Sequence, residues 1–133
     1  MKIKVLCKVI FLSALLSSTS FAAGKNINVE FTKGHDRAQY SGVIKGYDYD
    51  TYTFHALKGQ KLRVSIPNEI ATPVLFGAGI SDSVILSRYS SALDDNGQYI
   101  LPETGKYQLR ILQTRNDARR NKAKKYRVNI QIK

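Results

Sequence analysis

The sequence predicts an all-β fold: an antiparallel, jelly-roll-like β-sandwich of about eight or nine short strands. Apolar residues alternate with polar ones in short runs along residues 26–132, which is the pattern of strands that bury one face. Turn-forming residues separate these runs at intervals of roughly 8–12 residues, and no stretch has convincing helical periodicity. Together these observations favour two packed sheets in a single domain.

Residues 1–22 are predicted to be a secretory signal that precedes the domain. Three lysines come before a short apolar run at residues 9–16, and Ser20-Phe21-Ala22 places small residues at the cleavage positions. The apolar run is shorter than the roughly 20 residues that cross a bilayer as a helix. We therefore expect cleavage after Ala22, no membrane insertion afterwards, and one domain over residues 23–133.

The mature chain is expected to be basic and free of cysteine. Cleavage lowers the formal charge from +11 to +8, because it removes three lysines and no acids, and it also removes the only cysteine, Cys7. Disulfides and cysteine metal sites are thereby excluded. Export makes nucleic acid an unsuitable partner, which leaves an acidic polymer, an anionic membrane surface or an acidic patch on another protein.

The strands are predicted one by one from alternation and bounding turns. Lys58-Gly59 predicts a hairpin between the third and fourth strands, and Asp94-Asp95-Asn96-Gly97 predicts an acidic turn. Four aromatic residues fall on apolar faces and are expected in the core: Tyr52, Phe54, Tyr107 and Tyr126. The predicted strands before the C-terminal region cover residues 26–31, 39–45, 50–56, 62–66, 73–77, 83–87 and 98–101.

The C-terminal region predicts a second hairpin with a cationic tip. Alternation over residues 105–112 and again over 126–132 indicates two half-buried strands. The connection between them has one acid, Asp117, and no large apolar residue. Folding explains the strands but not the cations of this connection, which are Arg115, Arg119, Arg120, Lys122 and Lys124.

Two resemblances to known families add to this interpretation. Residues 46–60 (GYDYDTYTFHALKGQ) and 101–111 (LPETGKYQLRI) look like parts of a β-sandwich module that is often appended to secreted bacterial peptidases. The whole mature chain resembles more closely the periplasmic inhibitors of goose-type lysozyme made by Gram-negative bacteria. That resemblance is carried by GKNINVEF at 24–31, Tyr40-Ser41-Gly42, GYDYDTYTF at 46–54 and LRILQTRNDARRNK at 109–122.

The second resemblance implies a periplasmic inhibitor that evades host defence and has no catalytic residue, metal or cofactor. Its partner would be a goose-type lysozyme, whose substrate cleft would be blocked by loops 46–50 and 115–120. A lysozyme cleft carries carboxylates, which guanidinium groups bind through paired hydrogen bonds, and tyrosines supply flat, rigid contact area. The expected lysozyme-binding residues are Tyr47, Asp48, Tyr49, Arg115, Asn116 and Arg119.

The partner implied by this resemblance is usually basic, as this chain is, so any attraction must be local. We expect salt to change the rate of association more than the affinity. The remaining cations of the C-terminal connection are expected to be solvated: Arg120, Lys122, Lys124 and Lys125. The acids expected to shape the local field are Asp48, Asp50, Asp94 and Asp95.

Other interpretations stay open at this stage. Residues 115–125 could be a solvated basic loop with no partner, and the protein could be a periplasmic polysaccharide-binding module without inhibitory activity. Asp48, Asp50 and Asp82 could offer oxygen ligands to calcium, although no loop spacing supports such a site. No Ser/His/Asp arrangement and no paired carboxylates indicate an enzyme.

Overall fold

The computed structural model describes residues 24–133, which form a sandwich of two β-sheets. The predicted signal, residues 1–22, lies outside the described residues. The strands are β1 (Asn26–Asn28), β2 (Arg37–Lys45), β3 (Asp50–Ala56), β4 (Lys61–Ser65), β5 (Thr72–Gly77), β6 (Val84–Ile85), β7 (Tyr99–Ile100), β8 (Gly105–Leu112) and β9 (Ala123–Ile132). The five-stranded sheet has the order β1-β3-β8-β5-β6, and the four-stranded sheet has the order β2-β9-β4-β7.

The core lies between the two sheets and is built from the alternate apolar side chains of the long strands. All four aromatic residues expected there are buried, with Tyr52 and Tyr107 completely inaccessible. Phe54 and Tyr107 are paired across β3 and β8, and their ring centroids stack 5.6 Å apart. Burying a large apolar side chain contributes about 1.5–3 kcal/mol, so these faces account for much of the stability of a domain without disulfides.

Both predicted hairpins are wrong. β3 pairs with β1 and β8, whereas β4 pairs with β7 and β9 in the other sheet. In the same way, β8 pairs with β3 and β5, whereas β9 pairs with β2 and β4. Alternation indicates that a strand buries one face, but it does not show which of the two sheets the strand belongs to. The connections 57–60 and 113–122 therefore cross from one sheet to the other.

One short helix contradicts the expectation of an all-strand chain. The connection after β8 contains α1 (Arg115–Arg119), which begins after Thr114, whose side-chain oxygen accepts a hydrogen bond from the Asp117 N–H at 3.3 Å. An isolated helix of this length would not be stable in water, so tertiary contact must hold it, and Ala118 is buried. Neither α1 nor the 3₁₀ turn at Pro67–Glu69 approaches the length of a membrane-spanning helix within residues 24–133.

A buried polar bridge joins the two sheets. The carboxylate of Asp50 in β3 is fully buried and accepts hydrogen bonds from the Tyr126 hydroxyl of β9 and from the Lys25 backbone N–H at 2.8 Å. Because Tyr126 gives its proton to Asp50, the Tyr52 hydroxyl, 2.6 Å away, donates to Tyr126. Burial, followed by the bond to Asp50, raises the pKa of Tyr126, so this hydroxyl remains a donor.

Two features of the bridge bear on the sequence predictions. A Cβ atom on Gly42 in β2 would lie 2.5 Å from Asp50 Oδ2 and 2.6 Å from the Tyr126 hydroxyl, so only glycine leaves room for this pair. The prediction that Asp50 helps to shape the surface field is wrong. Its carboxylate is inside the protein, where a charge must be fully hydrogen-bonded to be tolerated.

We expect Tyr126→Phe to lower the free energy of unfolding by about 1–3 kcal/mol, because it leaves the buried Asp50 carboxylate short of one donor. Urea unfolding measures this change directly. Tyr89→Phe is the matched control, since it deletes the same atom from a side chain that is 83% exposed. Equal unfolding midpoints for the Tyr126 variant and the parent protein would show that the bridge contributes nothing to stability.

Candidate functional site

Two segments meet at one end of the sandwich: residues 46–49, which we name the tyrosine loop, and residues 113–122, which we name the arginine turn. β2 ends at Lys45, which is paired with Ala123 at the start of β9. One residue further on, the Gly46 N–H donates to the Lys122 carbonyl at 3.1 Å. The two segments expected to bind a partner are therefore neighbours, although they are far apart in sequence.

A buried amide ties these segments together. Gln113 is only 4% exposed, and its Nε2 donates to the Lys122 carbonyl at 2.8 Å. The same nitrogen lies 3.4 Å from the Ile44 carbonyl and 3.5 Å from the Gly46 carbonyl. One side chain thus connects the end of β2, the tyrosine loop and the end of the arginine turn, and buried amide hydrogen bonds of this kind hold loops in one arrangement.

Gly46 is required where the two segments touch. Its φ angle is +60°, in the left-handed region that glycine adopts at little cost. A Cβ atom at this position would also lie 2.6 Å from Asn121 Oδ1. Asn121 is itself left-handed, with φ of 54°, at the end of the helical turn. A side chain at Gly46 would therefore strain the backbone and displace the Asn121 amide at the point where the two segments touch.

The arginine turn presents its guanidinium groups on one face of α1. Arg115 and Arg119 are four residues apart, so they lie on the same side of the helix, and both are exposed, whereas Ala118 is buried beneath. The Asn116 Oδ1 accepts a hydrogen bond from Arg119 Nη2 at 2.8 Å, which orients that guanidinium. No carboxylate among residues 24–133 forms an ion pair with either arginine.

The one acid of the arginine turn is already paired. Lys124 Nζ forms an ion pair with Asp117 Oδ2, and both side chains are about three-quarters buried. The hydrogen bond from Lys124 holds the pKa of Asp117 below its usual value. The prediction that Lys124 is solvated is therefore wrong, and Asp117 forms no ion pair with Arg115 or Arg119.

The tyrosine loop exposes one ring and partly buries the other. Tyr47 is 67% exposed, and the Asp48 N–H donates to the Lys45 carbonyl at 3.0 Å, which closes the turn. Asp48 forms no ion pair with an arginine within residues 24–133. Tyr49 is half-buried because the Arg110 guanidinium lies over its ring, 4.8 Å from the centroid. All six expected residues are thus at one end of the molecule.

Sequence reasoning missed Gln113 and Arg110, which support this end. Arg110 faces outward between the inward-facing Leu109 and Ile111, so its outward position could have been predicted from the alternation of β8. Its contact with Tyr49 depends on the pairing of β3 with β8, which alternation alone does not give.

Asp94, by contrast, is not part of the site. Its pKa is lowered mainly by the Gln98 N–H and also by Lys61 and Arg63, which lie toward the opposite end of the four-stranded sheet.

The pairing of Asp117 predicts a pH-dependent contribution to stability. Because the folded pKa of Asp117 is depressed, its contribution is present above the unfolded value of about 3.9 and is lost as the pH falls through the folded value. We expect Asp117→Asn to melt below the parent protein at neutral pH, and we expect this difference to shrink as the pH is lowered below about 3.9. Glu103→Gln, which removes a looser pair of 4.0 Å with Lys58, is the control and should change melting less. A melting difference that persists undiminished in acid would contradict this assignment.

Known proteins resemble this chain in both sequence and fold. No protein-family model matches the sequence. A curated protein of Escherichia coli (strain K12), described as an inhibitor of g-type lysozyme, is 71% identical over 133 residues and is covered completely, as is this chain. The crystal structure of a periplasmic inhibitor of g-type lysozyme from Salmonella Typhimurium is 73% identical, covers 84% of this chain and 100% of its own, and superposes with a TM-score of 0.81.

A solved structure of lower sequence identity is also described as a periplasmic inhibitor of g-type lysozyme. The crystal structure of a periplasmic inhibitor of g-type lysozyme from Aeromonas hydrophila is 30% identical, again covers 84% of this chain and 100% of its own, and gives a TM-score of 0.65. The similarity to all three proteins extends over at least 84% of the sequence, so it includes both the sandwich and the end that carries the two loops. The chain therefore belongs to the family of periplasmic inhibitors of g-type lysozyme.

Proposed function

We propose that this protein is a periplasmic inhibitor of goose-type lysozyme and has no enzymatic activity of its own. The tyrosine loop and the arginine turn enter the substrate cleft of the lysozyme together and exclude peptidoglycan. The observation that carries this proposal is the attachment of the two segments to each other through Gln113 and Gly46. The names of the close relatives support the same function. Such a protein would protect the cell wall of its producer from a host enzyme.

The chemistry of the two segments suits a lysozyme cleft. Cleavage of a glycosidic bond by these enzymes depends on carboxyl groups that flank the bond. Arg115 and Arg119 present guanidinium groups without carboxylate partners within residues 24–133, and each can form two parallel hydrogen bonds to a carboxylate. Tyr47 exposes most of its ring beside them and supplies flat contact area where a sugar would bind.

Rigidity before binding is the second argument for this function. A loop that must be ordered at an interface loses conformational entropy, and this loss weakens binding. Here the tyrosine loop is fixed at Gly46 by the Lys122 carbonyl and at its other end by the buried Asp50. The helix of the arginine turn is capped by Thr114. Both segments thus keep one arrangement in the absence of the lysozyme, so little additional ordering is needed when they bind it.

We expect Arg115→Ala or Arg119→Ala to weaken binding to a goose-type lysozyme by about 2–4 kcal/mol if that residue is a central anchor. Both side chains are exposed, so far-ultraviolet circular dichroism and the melting temperature should stay near those of the parent protein. The inhibition constant in a cell-turbidity assay measures the loss. Arg63→Ala removes the same charge from the outer face of the four-stranded sheet and should leave inhibition unchanged. Undiminished inhibition by both arginine variants would refute their assignment.

A turbidity assay with goose-type, chicken-type and invertebrate-type lysozymes in parallel tests the function as a whole. Selective protection against the goose-type enzyme is the expected result. If the protein instead is retained on purified peptidoglycan and protects against none of the three enzymes, the polysaccharide-binding alternative replaces the proposal.

A further inference from the structure

The Arg110 side chain lies between two aromatic rings on the outer face of the five-stranded sheet. Its guanidinium carbon is 4.8 Å from the Tyr49 centroid and 4.4 Å from the Phe76 centroid. β8 is flanked by β3 and β5, where Thr51 and Val74 are the residues opposite Arg110. Rings from both sides of β8 thus enclose one cation, and cation–π attraction keeps it there.

This cation has no anionic partner in the part of the chain that the structure describes. No carboxylate of residues 24–133 forms an ion pair with Arg110, and its Nε atom is buried without an acceptor. A half-buried charge without a counterion is unfavourable for folding, and the two rings offset only part of that cost. An apolar side chain at this position would pack against the two rings without the cost of burying a charge, so packing alone does not explain an arginine here.

Arg110 is also close to the proposed lysozyme-binding end. Tyr49, whose ring centroid lies 4.8 Å from the Arg110 guanidinium carbon, belongs to the tyrosine loop. β8 ends at Leu112, only two residues beyond Arg110, and the arginine turn follows directly. The N–H groups that bind a carboxylate lie in the guanidinium plane. No carboxylate of residues 24–133 pairs with them, so the terminal N–H groups can meet an acceptor on a partner.

We propose that Arg110 is a third arginine of the lysozyme-binding surface and that its terminal N–H groups bind a carboxylate of the lysozyme beside the cleft. The inference rests on the proposed function and adds a contact on the outer face of the five-stranded sheet, next to the tyrosine loop. The interface then extends from the arginine turn across Tyr49 to Arg110.

The first experiment measures the inhibition constant against a goose-type lysozyme for two variants. Arg110→Met keeps an apolar chain between the rings and removes the charge, so inhibition should weaken by roughly 30-fold or more. Arg110→Lys keeps the charge but loses the two-pronged contact, so about a tenfold loss is expected. Arg63→Met is the control for loss of one positive charge, and its effect should stay below about twofold.

The second experiment tests whether Arg110 contacts the lysozyme directly or only holds Tyr49 in place. The Arg110→Met change is measured again in a Tyr49→Ala protein, which completes a double-mutant cycle. If Arg110 binds a carboxylate, Arg110→Met still causes most of its loss of inhibition in the Tyr49→Ala protein. If Arg110 only holds Tyr49 in place, the second substitution adds nothing, and the proposal is overturned.

The remaining outcomes are also decisive. If the parent protein does not inhibit the enzyme, the proposed function and this inference fall together. If the parent inhibits and Arg110→Met inhibits equally well, only this inference fails. Thermal melting of each variant shows whether it is folded. Should Arg110→Met not fold, Arg110→Lys decides: a tenfold loss with parental melting supports the proposal, and an unchanged inhibition constant refutes it.

Discussion

The hydrogen bond between Asp50 and Tyr126 connects the interior of the sandwich to the segment that we propose meets the lysozyme. Asp50 belongs to the five-stranded sheet, Tyr126 to the four-stranded sheet, and the residue before Asp50 is Tyr49 of the tyrosine loop. A buried carboxylate cannot leave its donors without a large free-energy penalty. The end of the tyrosine loop is therefore fixed by the same interaction that joins the sheets, and the domain achieves this without a disulfide.

The alternation of apolar residues could predict the strands because it reflects burial of one face, which is a local property of the chain. It could not predict which sheet each strand joins. β8 and β9 both bury their apolar faces, but they do so from opposite sides of the core, and the sequence pattern is the same in either case. The hairpin expected around the arginine turn was wrong for this reason, although the strands themselves and the exposed position of Arg115 and Arg119 were predicted.

Other parts of the site depend on contacts between residues that are distant in sequence. Thr114 and Asp117 have the spacing of a helix cap, so a local signal for α1 was present in the connection between β8 and β9. Asp50 was expected to be a surface acid, although alternation places it on the same face of β3 as Tyr52 and Phe54. The donors that satisfy its buried carboxylate, the Tyr126 hydroxyl and the Lys25 N–H, come from distant parts of the sequence. The Arg110 contact with Tyr49 likewise follows from strand pairing, which no single segment encodes.

The distribution of charge at this end argues for a partner rather than for solubility. Asp50 is hydrogen-bonded to Tyr126 and Asp117 is paired with Lys124, and within residues 24–133 neither acid forms an ion pair with a guanidinium group nearby. A surface kept basic only for solubility would gain nothing from holding Arg110 between two rings, since a freely solvated cation repels other molecules equally well. Ordered cations that lack internal partners instead favour a negatively charged surface that can supply the missing acceptors. Because the same arrangement repels a basic surface, a partner that is basic overall can bind here only through a local acidic groove, and this requirement adds to the selectivity of the interaction.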